Sequence, residues 1–101
     1  MAYPKDQLPP PPAALDDARA FELARVWFAG EAPVVTARLE PWPDPAAWGL
    51  LLGDVARQVA RMYAERGDVD AAAALARLRA GLDAELGDGG DHDAWSALDA
   101  G

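Results

Sequence analysis

A chain of 101 residues with no cysteine and a net charge of −8 excludes several possibilities. It has room for one small domain, no means of forming disulfides or thiolate metal centres, and a surface that repels nucleic-acid phosphates. The charge is uneven: residues 1–67 hold seven basic and nine acidic groups (7 − 9 = −2), and residues 68–101 hold two and eight (2 − 8 = −6).

The first twelve residues, MAYPKDQLPPPP, contain no apolar stretch of the kind a signal peptide needs. No apolar run in the chain approaches the ~20 residues that span a bilayer. Cytoplasm is therefore the expected compartment, with no membrane partner. Pro9 to Pro12 stand in succession, a run that favours polyproline II and fits neither a helix interior nor a sheet ladder. Residues 1–14 are expected to form a disordered Pro-rich leader. A single compact domain is expected over 15–87, and a flexible acidic tail over 88–101.

Two short runs, FELARVWF and PVVTARL, are rich in Val, Phe, Trp and Thr and are separated by AGEA. They predict a β-hairpin over 21–39. Alternation places Phe21, Leu23, Arg25 and Trp27 on one face and Glu22, Ala24, Val26 and Phe28 on the other. Both faces are apolar toward the turn. A two-stranded ribbon is marginal alone; one face is expected to lie on the long helix, and pairing with a second chain across a two-fold axis is the expected remedy for what that leaves open.

WPDPAAWGLLLGDVARQVARMYAERG, residues 42–67, predicts a long amphipathic helix. Asp44 is suited to cap it, Pro45 to occupy its first position, and Gly67 to end it in a left-handed conformation. Trp48, Leu51, Leu52, Val55, Val59, Met62 and Tyr63 recur at intervals of three and four and form one broad apolar face. A second stripe of small residues, Gly49, Gly53, Ala56, Ala60 and Ala64, is expected to pack against a neighbouring helix. Gly53 in particular should sit beneath its backbone. That neighbour is predicted from Asp68 or Asp70 to the residue before Gly87, with Leu75, Leu78, Leu82 and Leu86 as its seam. The short connection at Gly67–Asp68 makes the two a helical hairpin.

Motifs that carry chemistry are scarce. The sole histidine, His92, lies between Asp91 and Asp93 without a second histidine or any cysteine to complete a metal site. Ser96 is the only serine, and no phosphate-binding loop is present. No catalytic, metal or cofactor residue is therefore expected. Asp54 with Arg57 and Arg61 with Glu65 have the spacing of helical ion pairs; alternatively, Arg57 and Arg61 together could clamp an anion. Trp27, Phe28 and Trp42 are the candidate interface residues, because large aromatics dominate binding hot spots. Trp95 and Leu98 could anchor a partner in the tail.

Leu23-Ala24-Arg25-Val26-Trp27, the run Trp42-Pro43-Asp44-Pro45-Ala46-Ala47-Trp48-Gly49, Asp54-Val55-Ala56-Arg57 and Ala60-Arg61-Met62-Tyr63 together resemble a small family of alphaproteobacterial proteins known only as a domain of unknown function. The resemblance covers about residues 8–87, and W-x-D-P-x-x-W-G is its most specific motif. It implies no activity, cofactor or partner.

The sequence thus predicts an α+β fold, a β-hairpin followed by an antiparallel helix pair (ββαα), with the hairpin as the expected dimerising element. The function it favours is a non-enzymatic interaction or regulatory module, homodimeric, with a protein partner met through hairpin or tail. The alternative is a small-ligand or anion-binding domain, or a minor enzyme, using the polar face around Arg57 and Arg61.

Overall fold

The computed structural model describes residues 6–87. In order they form a short helix α1 (Pro12–Asp16), strands β1 (Ala24–Ala29) and β2 (Ala32–Ala37), and helices α2 (Ala46–Arg66) and α3 (Ala71–Gly87). An antiparallel hairpin followed by two helices is the predicted α+β architecture. The chain divides into two compact units, Met1–Pro43 and Asp44–Gly101, each with its own packing.

In the first unit, the leader departs from the expectation of disorder through residue 14, because α1 starts at Pro12. Proline is tolerated in a first helical turn, where its missing N–H would lack a partner, and Ala13, Ala14 and Leu15 are strong helix formers. The hairpin pairs Val26 with Val35, Trp27 with Val34 and Phe28 with Pro33. Its connection is two residues rather than four, since Ala29 and Ala32 still pair. Gly30 and Glu31 have φ of 61° and 66°, the signature of a type I′ turn, whose twist matches that of the strands it joins. The strands are also shorter than expected. Ladder pairing ends at Ala24 and Ala37, below which the Arg38 N–H donates to the Leu23 carbonyl at 2.8 Å.

In the second unit, α2 begins one residue later than predicted, at Ala46. Asp44 still caps it: its carboxylate accepts from the Ala46 N–H at 2.9 Å. Gly67, at φ 88°, ends it in the left-handed conformation and donates to the Ala64 carbonyl at 3.0 Å. Asp70, not Asp68, caps α3, accepting from the Ala73 N–H at 2.7 Å. The side chain of Asp68 is instead engaged by Arg66.

Helices α2 and α3 pack on each other, and their contact is lined by small side chains. Ala60 and Ala74, at 2% and 6% exposure, are the buried hydrophobic residues among those described. Ala56, Val59 and Ala64 on α2, and Ala71, Leu75 and Leu78 on α3, are half-buried. Alanine lets two helix backbones approach at the short end of the 8–10 Å range, but each one buries little apolar area.

The expectation for the small-residue stripe therefore holds for Ala56, Ala60 and Ala64 and fails for its two glycines. A Cβ built at Gly49 or Gly53 meets no atom within 4 Å. At 100° per residue Gly49 and Gly53 keep the azimuth of the three alanines, so the difference lies along the helix axis: burial against α3 is confined to the end of α2 nearer Gly67, and the two glycines lie beyond it. Gly53→Ala should consequently stabilise the protein by about 1 kcal/mol, the helix-propensity difference. A thermal melt checks this, with a rise of roughly 4–8 °C expected for a domain of this size.

Candidate functional site

Three surfaces hold the residues singled out by the sequence. The first is the hairpin. Residues paired across an antiparallel ladder share a face, so Ala24, Val26 and Phe28 lie with Ala37, Val35 and Pro33. No polar side chain interrupts that face, and Val26, Phe28 and Val35 are 59–69% exposed. A ribbon this short has no second layer of its own to cover both sides. Trp27 belongs to the opposite face with Arg25, Val34 and Thr36 and is half-buried. Trp42 is half-buried too, and its backbone N–H donates to the Leu39 carbonyl at 3.2 Å. Of the three aromatic candidates, Phe28 alone lies on the exposed apolar face. Val26 and Val35, not singled out from the sequence, complete that face with it; their alternation was the available signal.

The second surface is the root of the hairpin, an open depression of about 280 Å³ lined by residues that include Glu22, Arg25, Thr36, Arg38 and Glu40. Its charges engage one another. The Arg25 Nε–H donates to both Glu22 carboxylate oxygens, at 2.7 and 2.9 Å, and Arg38 Nε–H to the Glu22 carbonyl at 3.2 Å. These exposed contacts hold the strand ends together and contribute little to stability.

The third is a groove of about 260 Å³ where α2 meets the start of α3, lined by Arg57, Ala60, Arg61, Ala71, Ala72 and Leu75. The predicted ion pairs are not formed here. Asp54 accepts from the Gln58 amide at 3.0 Å instead. The ion pairs among the described residues are Glu22–Arg25 and Arg66–Asp68. The two guanidinia, one helical turn apart on the groove's rim, are thus without carboxylate partners among the described residues. Helix geometry permits the predicted spacing, but long exposed side chains gain too little from pairing to be held there. His92, Trp95 and Leu98 lie outside the described residues, as does the rest of the tail.

Residues 7–89 match a family described as a domain of unknown function (DUF5076). The chain belongs to the DUF5076 family. No curated protein matches it. Among solved structures, this DUF5076 chain is similar to one described as "a putative pyruvate dehydrogenase from the photosynthetic bacterium Rhodopseudomonas palustrus CGA009". The two are 35% identical with a TM-score of 0.63, over 85% of this chain and 86% of that one. Among the described residues of the DUF5076 chain, no helix is long and apolar enough to cross a membrane.

Proposed function

We propose that this DUF5076 protein is a non-enzymatic interaction module of the cytoplasm that recognises a protein partner through the apolar hairpin face of Val26, Phe28 and Val35. The single observation behind this reading is where the large hydrophobic side chains lie. The buried hydrophobics are alanines, while sixteen larger apolar or aromatic side chains are exposed among the described residues. An isolated soluble domain seldom leaves so much apolar surface in water unless something binds there. The hairpin face is flat, continuous and uncharged, the composition found at the centre of protein interfaces.

The test is capture from an extract of the source organism, using tagged full-length protein beside a Val26→Glu/Val35→Glu variant and a version ending at residue 87. A discrete partner should be retained by the native protein and lost by the double variant, with helical circular dichroism unchanged. Retention by the double variant would remove the hairpin from the reading. Loss on truncation would place recognition in the tail.

A second reading rests on Arg57 and Arg61 at their groove, which have no carboxylate partner among the described residues. Two guanidinia one turn apart can hold a carboxylate or phosphate, and the name of the Rhodopseudomonas protein suggests pyruvate, a carboxylate, as a probe. Titration with pyruvate and with inorganic phosphate, followed by the arginine Nε–H resonances, separates the readings. The interaction module should show no saturable shift. Saturation that disappears in Arg57→Gln/Arg61→Gln would favour the anion site.

A further inference from the structure

The groove where α2 meets the start of α3 combines two chemistries. Its floor is apolar, made by Ala60, Ala71, Ala72 and Leu75, and its rim carries the guanidinia of Arg57 and Arg61. Ala60 is buried and Leu75 half-buried, so a side chain resting there meets packed apolar atoms. Neither arginine has a carboxylate partner among the described residues. The groove therefore suits a segment that presents large apolar side chains with carboxylates beside them.

The chain's own acidic tail is such a segment. Residues 88–101 hold four aspartates, Asp88, Asp91, Asp93 and Asp99, and no lysine or arginine. Trp95 and Leu98 are the large apolar residues of the tail, and Asp93 and Asp99 flank them. In a protein of net charge −8 most of the surface repels an acidic segment, so a pair of guanidinia attracts it most. Length decides whether the tail can reach them. Helix α3 runs from Ala71 to Gly87, about 24 Å at 1.5 Å per residue. The groove lies at its start, and the tail leaves from its end. Trp95, eight residues beyond Gly87, can extend roughly 26–29 Å from it, enough to return along α3 to Ala71. Gly89 and Gly90 leave the backbone free to reverse at the end of the helix.

We infer that the tail segment Asp93–Asp99 docks in this groove of its own chain, with Trp95 and Leu98 on the apolar floor and the aspartates on Arg57 and Arg61. Tethering gives the tail an effective concentration on the order of millimolar at the groove, so a contact too weak to hold a free peptide is populated within the chain. The inference rests on the second reading above, in which Arg57 and Arg61 bind carboxylate. It names the occupant of that site, which any external anion must displace.

The test places a nitroxide on the full chain through Ser96→Cys, a unique attachment point because the chain has no cysteine of its own. Amide signals of residues 57–61 and 71–75 should lose most of their intensity, more than those at the end of α3 from which the tail leaves. Arg57→Gln/Arg61→Gln should restore the lost signals, and Arg77→Gln/Arg79→Gln should not. Added salt should weaken the effect, because it screens the attraction between aspartate and arginine. Broadening that is strongest at the end of α3, or that survives Arg57→Gln/Arg61→Gln, would overturn the inference. So would broadening seen only when nitroxide-bearing chains are mixed with isotope-labelled chains that lack it, since the tail would then occupy a second copy. Pyruvate keeps the two readings apart. It should bind the Trp95→Ala/Leu98→Ala variant more tightly than the native chain. Binding to neither, with the broadening intact, would remove the small-anion reading and leave the docking in place.

Discussion

Ala60→Leu is expected to destabilise the protein by about 3 kcal/mol, the upper part of the range for overpacking a tight contact. Ala60 is the most buried side chain described, at 2% exposure, and it lies where α2 meets α3. Three added heavy atoms have no void to enter, so they can be accommodated only by separating the helices or forcing a strained rotamer. Separation also withdraws Ala56 and Ala64 from the α3 contact, and this makes the loss cooperative. Since small domains have only about 5–15 kcal/mol of stability in total, the variant should melt at least 10 °C lower. Ala60→Gly provides the control. It removes one methyl and lowers helix propensity, costing about 1 kcal/mol, and should not open the pair. An Ala60→Leu melt equal to or above that of the native protein would show that the helices are not closely packed here.

Gly67→Val should be the next most damaging single change, at about 2 kcal/mol. The φ of 88° at Gly67 lies in the region that L side chains disfavour, and β-branching makes the clash worse. Space is not the difficulty, because a Cβ there meets nothing within 4 Å. The cost is therefore one of backbone conformation alone, and this makes the series Gly67→Asn, Gly67→Ala, Gly67→Val informative. Asparagine, which visits left-handed conformations most readily of the three, should be nearly neutral, alanine intermediate and valine worst. Urea unfolding of the three variants gives the order directly. If all three behave alike, the turn into α3 does not depend on the left-handed residue.

Both predictions concern the α2–α3 hairpin, the part of the molecule where local signals in the sequence agree best. Its stop signal is plain in the sequence: a glycine directly followed by Asp68, Val69 and Asp70, with a carboxylate spaced to accept from the first free N–H groups of the next helix. The choice between Asp68 and Asp70 as cap was not legible, since both have the right chemistry. It is decided by chain direction after Gly67, which brings Asp68 to Arg66 and leaves Asp70 beside the Ala73 N–H.

What the sequence alone determined is the order and kind of the elements. Period-two alternation with β-branched residues, then period-3.6 apolar recurrence bounded by Asp44 and Gly67, are properties of neighbouring residues and need no distant contact to be read. The apolar positions were legible for the same reason: Val26 and Phe28 on one hairpin face, and Leu52, Val55, Val59 and Met62 on one helix face. Which of these surfaces the chain would cover was decided only by tertiary structure. Helix α2 offers a large-residue face and a small-residue stripe, and periodicity alone cannot say which meets α3. In the structure the stripe of Ala56, Ala60 and Ala64 takes the contact and the larger side chains stay outside. Helix pairing is governed by how closely two backbones can approach as well as by apolar area, and that distance is a property of both helices together. Glycine 53 was misplaced for the same reason, and the ion pairs expected of Arg57 and Arg61 failed because exposed side chains choose among several nearly equal partners.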